Sequence, residues 1–307
     1  MNQIELKALA KINLGLDVLG RRENGYHDVR MVMQSVYLYD EVRIEKTEAP
    51  GITLAANLTF LPTGEGNIAY KAAQLLTEEF EIGEGVKITL NKHIPAGVRI
   101  TLNKHIPVAA GLAGGSSNAA AVLFGMNRMF RLGLTREELM ARGVRLGADV
   151  PYCIMRGTVL AEGIGEELSV LPAMPKCTVL IAKPPVSVST KVVYEALDAK
   201  EIVEHPDIDG IIEGLKKHCL KQVAACMGNV LEDVTIPMHP VIDRIKQEMI
   251  DAGALNAMMS GSGPTVFGLF ESRAAAREAQ RRIREKSLTR QVYVTSVHSV
   301  RRNQDAY

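Results

Sequence analysis

Pro107-Val-Ala-Ala-Gly-Leu-Ala-Gly-Gly-Ser-Ser117 decides how this chain is read. An alternating apolar run, Val98–Lys104, leads into it, and the Ala-rich stretch Ser116–Phe130 leads out. That order is strand, glycine-rich turn, helix. Gly111, Gly114 and Gly115 lack a Cβ, so the backbone can curl and bring its N–H groups close to a ligand. The first turn of the helix that follows offers unpaired N–H groups and a partial positive charge. Together they form a site for anions such as phosphates. The hydroxyls of Ser116 and Ser117 can bind phosphate or a Mg²⁺ ion. The motif is neither a Walker loop, because no Gly-Lys-Ser/Thr closes it, nor GxGxxG. The competing reading is a tight turn with a Ser N-cap.

Upstream, Gly85–Ala96 (GVKITLNKHIPA) recurs as Gly97–Val108 (GVRITLNKHIPV), with ten of twelve positions identical. A single tandem copy is not a solenoid. Twelve is even, so the duplication preserves the face to which each side chain points. Only the second copy runs into the glycine-rich loop, so Val98–Lys104 is predicted in the sheet. The first copy is predicted as an added edge strand or a surface excursion.

Downstream, Leu146-Gly-Ala-Asp-Val-Pro151 places Asp149 two residues before a proline, in what reads as extended backbone past a helix end. A carboxylate there can accept a proton from an alcohol. The alternative is a turn or capping residue. In Ala10-Lys-Ile-Asn-Leu14, Lys11 interrupts an apolar strand. If buried, its ammonium needs a carboxylate or phosphate partner, and if not, it reaches water at a strand end. Met259-Ser-Gly-Ser-Gly-Pro-Thr265 is a second small-residue loop. Asn24-Gly-Tyr-His27 sets Tyr26 and His27 beside a turn, and Pro184–Tyr194 sets Thr190 and Tyr194 four residues apart on one helix face.

The rest of the chain fits two α+β domains, 1–171 and 172–307, meeting at Leu171-Pro-Ala-Met-Pro175. Residues 3–20 and 29–46 read as strands across Asn24-Gly25, and 67–80 and 135–146 as helices. In the second half, helices are predicted at 189–199, 208–228, 239–252 and 272–286, a hairpin at 257–270 and a last strand at 291–298. The 307 residues are 47% hydrophobic, and 36 Lys and Arg balance 35 Asp and Glu. A net charge of +1 provides no field for nucleic acid or an acidic membrane. The four cysteines have no zinc or CxxC spacing, and no apolar run is long enough to cross a bilayer. The expectation is a cytoplasmic protein that binds neither nucleic acid nor membrane.

Three loops arrive in fixed order: AKINLGL, PVAAGLAGGSSNAAA and SGSGPTVFG. In that order the chain resembles the GHMP kinases over nearly its whole length. RRENGYHDV, LGADVPY and KPPVSVSTKVVY resemble the branch of that family whose acceptor is a cytidine diphosphate sugar alcohol of isoprenoid precursor synthesis. The resemblance implies an N-terminal domain like ribosomal protein S5 domain 2, a ferredoxin-like C-terminal domain, and ATP with Mg²⁺ between them. It implies that Asp149 accepts the proton of the acceptor hydroxyl, with Lys11 beside both. Pro107, Gly111, Ala113, Gly114, Gly115, Ser116, Ser117 and Asn67 would meet the nucleotide, with Gly261, Ser262 and Gly263 closing from the other side and Ser117 on the metal. Tyr26 and Tyr194 would sandwich the cytosine, His27 would read its edge, and Asn13 and Thr190 would touch polar groups of the acceptor. A monomer or weak homodimer is implied. Two other readings share these residues: a GHMP kinase of the homoserine or mevalonate type, and an inactive nucleotide-binding protein on the same fold.

Overall fold

The computed structural model describes residues 1–80, 82, 97–200, 202 and 204–300. Two long strands organise it. β1 (Gln3–Arg21) and β2 (His27–Thr47) pair antiparallel along their whole length, across the turn that Asn24-Gly25 marks. Side chains alternate along a strand. Ala10, Ile12 and Leu14 of β1 enter an apolar core shared with the second half of the chain, so the alternate positions Lys11 and Asn13 take the other side. Register irregularities at Leu9/Ala10 and Asn13/Gly15 bracket those two polar residues.

β3 (Gly51–Ala56), α1 (Ile68–Glu79) and β4 (Gly97–Asn103) follow. β4 lies between β2, antiparallel, and β3, parallel. The second copy of the duplication therefore occupies the sheet, as its continuity with the glycine-rich loop demands. The first copy, 85–96, lies outside the described residues. α2 (Gly114–Phe130) packs against α1 and β1 and buries Ala119–Leu123 completely. Gly125 makes that close packing possible. A Cβ on it would lie 2.5 Å from Ile44 Cδ1 and 2.8 Å from Leu6 Cδ1.

α3 (Arg136–Val144) starts on the capping box of Thr135 and Glu138. α4 (Val150–Met155) leads to β5 (Thr158–Glu162), which pairs with the first half of β2, and to β6 (Glu167–Val170). Thereafter a second, four-stranded antiparallel sheet forms. Its strands are β7 (Thr178–Lys183), β9 (Asn256–Met259), β10 (Val266–Phe270) and β11 (Gln291–Ser296), in the order β11-β7-β10-β9. Between β7 and β9 the chain makes α5 (Thr190–Leu197), α6 (Ile208–Lys216), α7 (Leu220–Cys226), the short β8 (Gly228–Asn229), α8 (Glu232–Met238) and α9 (Val241–Asp251). α10 (Arg273–Glu285) precedes β11.

Two sequence expectations change here. The helix predicted over 208–228 is two helices, because His218 takes a positive φ of 51° and turns the chain. α8 was not foreseen, since its seven residues carry Pro237 and little periodicity. β8 joins the first sheet through β1, and Val36 bridges to Val297, so the halves of the chain interlock.

Gly125→Val should destabilise the protein by about 1–3 kcal/mol through overpacking. The check is a urea titration in which the midpoint falls and the slope is unchanged.

Candidate active site

Two cavities meet at one glycine. The first, about 330 Å³, is lined by the loop Pro107–Gly115, by Asn67 and Ile68 at the start of α1, and by Lys104 and Asn118. The second, about 560 Å³, is lined by Lys11, Asn13, Ser116 and Asp149 on one side, and by Tyr26, His27, Thr190 and Tyr194 on the other. Gly111 belongs to both. Its φ is +71°, and a Cβ there would stand 2.3 Å from the main-chain oxygen of Ser260. Any larger residue would therefore push the two loops apart. The Ser260 hydroxyl donates to Gly111 O at 3.1 Å, and the amide of Lys11 donates to Leu112 O at 3.1 Å. The glycine-rich loop is thus clasped by β1 and by the loop after β9.

Helix α2 begins two residues earlier than the sequence suggested. Ala113, left-handed at φ 54°, is its N-cap and supplies no side-chain cap. The first amide bonded within the helix is Ser117 N–H, to Ala113 O. The amides of Gly114, Gly115 and Ser116 consequently have no partner within the helix, and Gly114 and Gly115 line the first cavity. The early start also separates the two serines. Ser116 lines the second cavity. Ser117, expected on the metal, is 1% exposed, lines neither cavity and bonds to the buried Cys153 thiol. Burial, reinforced by the Asp149 charge, pushes that thiol well above its ordinary range.

Lys11 is 5% exposed, which removes the reading of a strand-end lysine reaching water. Its ammonium donates to Asn13 Oδ1 at 2.7 Å and stands 3.8 Å from Asp149 Oδ2. Asp149 is not in extended backbone. It has helical angles (φ −80°, ψ −9°) and is the N-cap of α4, because Pro151 is tolerated in the first turn of a helix. No side-chain cap bond ties up its carboxylate, which remains one-third exposed to the second cavity.

On the far wall, Thr190 and Tyr194 share a face of α5, as their spacing predicts. The Thr190 hydroxyl pairs with Ser262 Oγ at 2.9 Å. The ring lying against Tyr194 is His27, centroid to centroid 4.7 Å, while Tyr26 is 60% exposed at the rim. His27 Nε2 is 2.6 Å from Asp198 Oδ1, a partner sequence reading missed for lack of any local signal. Burial, with a contribution from Asp149, pushes the Tyr194 phenol up to about 12. Gly261 and Ser262, expected on the nucleotide, line the second cavity, and Gly263 lines neither.

The donor set of the first cavity suits a polyphosphate: free amides at a helix start, a hollow that side chains would fill, and no acidic lining residue. Among the described residues no group of three or more His, Cys, Asp or Glu can hold a metal ion. A Mg²⁺ ion here would be held largely by phosphate oxygens and water, as that ion prefers.

The family description "GHMP kinases N terminal domain" matches residues 67–157, and "GHMP kinases C terminal" matches 211–287. A 4-diphosphocytidyl-2-C-methyl-D-erythritol kinase of Lachnospira eligens is 57% identical, over 96% of this chain and 98% of the relative. The chain belongs to the GHMP kinase family. A kinase of the same name from Acetivibrio thermocellus is 50% identical to this GHMP kinase, covering 90% of it and 93% of the relative. A crystal structure of 4-(cytidine 5'-diphospho)-2C-methyl-D-erythritol kinase superposes with a TM-score of 0.80 at 31% identity, covering 97% of this GHMP kinase and all of the other chain. Homoserine kinase from Cytophaga hutchinsonii, at 21% identity and a TM-score of 0.73, shares the fold; it covers 97% of this chain and 95% of its own. The expected architecture of N- and C-terminal GHMP domains holds, and the protein is an ATP-dependent kinase. Among the described residues no helix is long and apolar enough to cross a membrane.

Two measurements test this geometry. Gly111→Ala forces a strained φ and a main-chain clash, at about 1–3 kcal/mol, so nucleotide affinity should fall about tenfold or more; a calorimetric ADP titration reads it. The Tyr194 phenol titrates near 12 when folded and near 10 when unfolded. The unfolded chain therefore releases the proton first, and stability falls as pH rises through that window. Tyr194→Phe should flatten that alkaline decline, read as melting temperature against pH.

Proposed function

We propose that this kinase transfers the γ-phosphoryl group of ATP to the C2 hydroxyl of 4-diphosphocytidyl-2-C-methyl-D-erythritol, a step of the methylerythritol phosphate route to isoprenoid precursors. One observation carries the reading: the Lys11–Asp149 pair lines an aromatic-bearing cavity that shares Gly111 with the anion cavity beside it. The first cavity takes the nucleotide, with its phosphates on the amides of Gly114, Gly115 and Ser116. The second takes the acceptor, with its cytosine among Tyr26, His27 and Tyr194 and its diol near Lys11 and Asn13.

Asp149 Oδ2 accepts the hydroxyl proton. The freed oxygen forms a bond to the γ-phosphorus, the bond to the β–γ bridging oxygen breaks, and ADP leaves. Lys11 needs no proton transfer to help. Its ammonium, oriented by Asn13, offers donors to the acceptor oxygen and to a γ-phosphate oxygen as charge builds there. Mg²⁺, when bound, neutralises the phosphates, and the Ser116 hydroxyl on the cavity is the chain's own oxygen suited to it, in place of Ser117. Phosphoryl transfer asks mainly for positioning and charge neutralisation, and direct transfer to the acceptor needs no covalent enzyme intermediate. Residues 1–171 would supply the phosphate loop, Lys11 and Asp149, and 172–307 the Ser260–Ser262 clasp and α5. The size of the second cavity and its three rings favour this acceptor over homoserine or mevalonate.

Asp149→Asn should lower kcat about 10²–10⁴-fold and leave ADP affinity nearly intact. A coupled ATPase assay with the diphosphocytidyl acceptor measures the first, and calorimetry the second. Normal turnover by this variant would remove Asp149 as the base. Cytidine should raise the melting temperature while homoserine should not; the reverse would move the enzyme to another acceptor.

A further inference from the structure

The nucleotide cavity has a floor that the glycine-rich motif does not account for. Asp40, on β2, is wholly buried. Its Oδ1 accepts the main-chain N–H groups of His105 at 2.6 Å and Ile106 at 2.8 Å. Its Oδ2 accepts Asn118 Nδ2 at 3.0 Å and the Lys104 ammonium. That ammonium, on a side chain only 5% exposed, also donates to Asn118 Oδ1 at 2.9 Å. Four donors fill the acceptor sites of one carboxylate.

The bonds tie β2 to the two segments that the loop must connect. Oδ1 holds the chain where it leaves β4. Oδ2 holds α2 through Asn118 and, through Lys104, returns to the strand end. Between these anchors runs the loop itself, and Gly114 packs directly on the ammonium: a Cβ there would stand 3.2 Å from Lys104 Nζ. A buried ion pair is a poor source of stability, because desolvation offsets most of the attraction. A planar carboxylate with four fixed partners instead specifies direction.

We infer that Asp40, Lys104 and Asn118 are positioning residues for the nucleotide: they set the angle between β4 and α2, and so aim the free amides of the glycine-rich loop. The inference rests on the reading that this cavity takes ATP. It predicts a selective defect, since the acceptor cavity is built from other residues.

The test uses the full chain, with ADP titrated by calorimetry and steady-state kinetics in ATP and in the diphosphocytidyl acceptor. Asp40→Asn removes the charge, and Asn118→Leu cuts the helix link while leaving the Asp40–Lys104 pair in place, so a folded variant remains if the first fails to fold. Each should raise the ADP Kd and the KM for ATP about tenfold, the size of a lost charge-assisted hydrogen bond. At saturating ATP, kcat and the acceptor KM should stay within about threefold. Equal rises in both KM values, a fall in kcat alone, or no change would overturn the inference. If the unaltered protein binds no ADP, the ATP reading itself fails, which is a different result.

Discussion

Everything at the active site hangs on a main-chain contact between two loops far apart in sequence. Gly111 lies against the Ser260 carbonyl with no space for a methyl group, and the Ser260 hydroxyl bonds back to Gly111 O. Ser260 is itself held in place. Asn229 on β8 donates to Met259 O and Gly261 O, both at 2.9 Å, and Glu232 accepts the amide of Met259. β8 in turn pairs with β1, the strand that carries Lys11 and Asn13. The glycine-rich loop that lines the first cavity and the strand that lines the second are thus fixed to each other through one hydrogen-bonded circuit. Rigid backing of this kind is what positional catalysis requires, because misplacement by an ångström can cost orders of magnitude in rate.

Much of this was legible in the sequence. Local chemistry marks Asn24-Gly25 as the turn between two long strands, Thr135 as an N-cap and the glycines as a tight loop running into a helix. Even the choice between the duplicated segments could be read, because only one copy runs on into the loop. What escaped was set by long-range contact. Asp40 and Lys104 are 64 positions apart, and nothing local marks either. Ser117 lies away from both cavities, while Ser116 lines one, for a smaller reason. Ala113 takes the left-handed conformation and starts the helix early, so neighbouring hydroxyls point about 100° apart around its axis.

Asp149 shows how a misread backbone can still leave a side chain on a cavity. A following Val-Pro favours extended structure for the residue next to the proline, yet here Pro151 sits in the first turn of α4. The N-cap position aims the carboxylate outward instead of along a strand. Lys11, buried in β1, then meets it at 3.8 Å. That separation is longer than a direct hydrogen bond, and a hydroxyl oxygen set to one side of the line joining the two groups lies within hydrogen-bond reach of both.

Gly111 also limits what can span the site. It carries no side chain and is, among the described residues, the one lining residue the two cavities share. A compound built to occupy both halves at once would have to cross above that one α-carbon. Its tether would need to be slim and flat there, however bulky its ends.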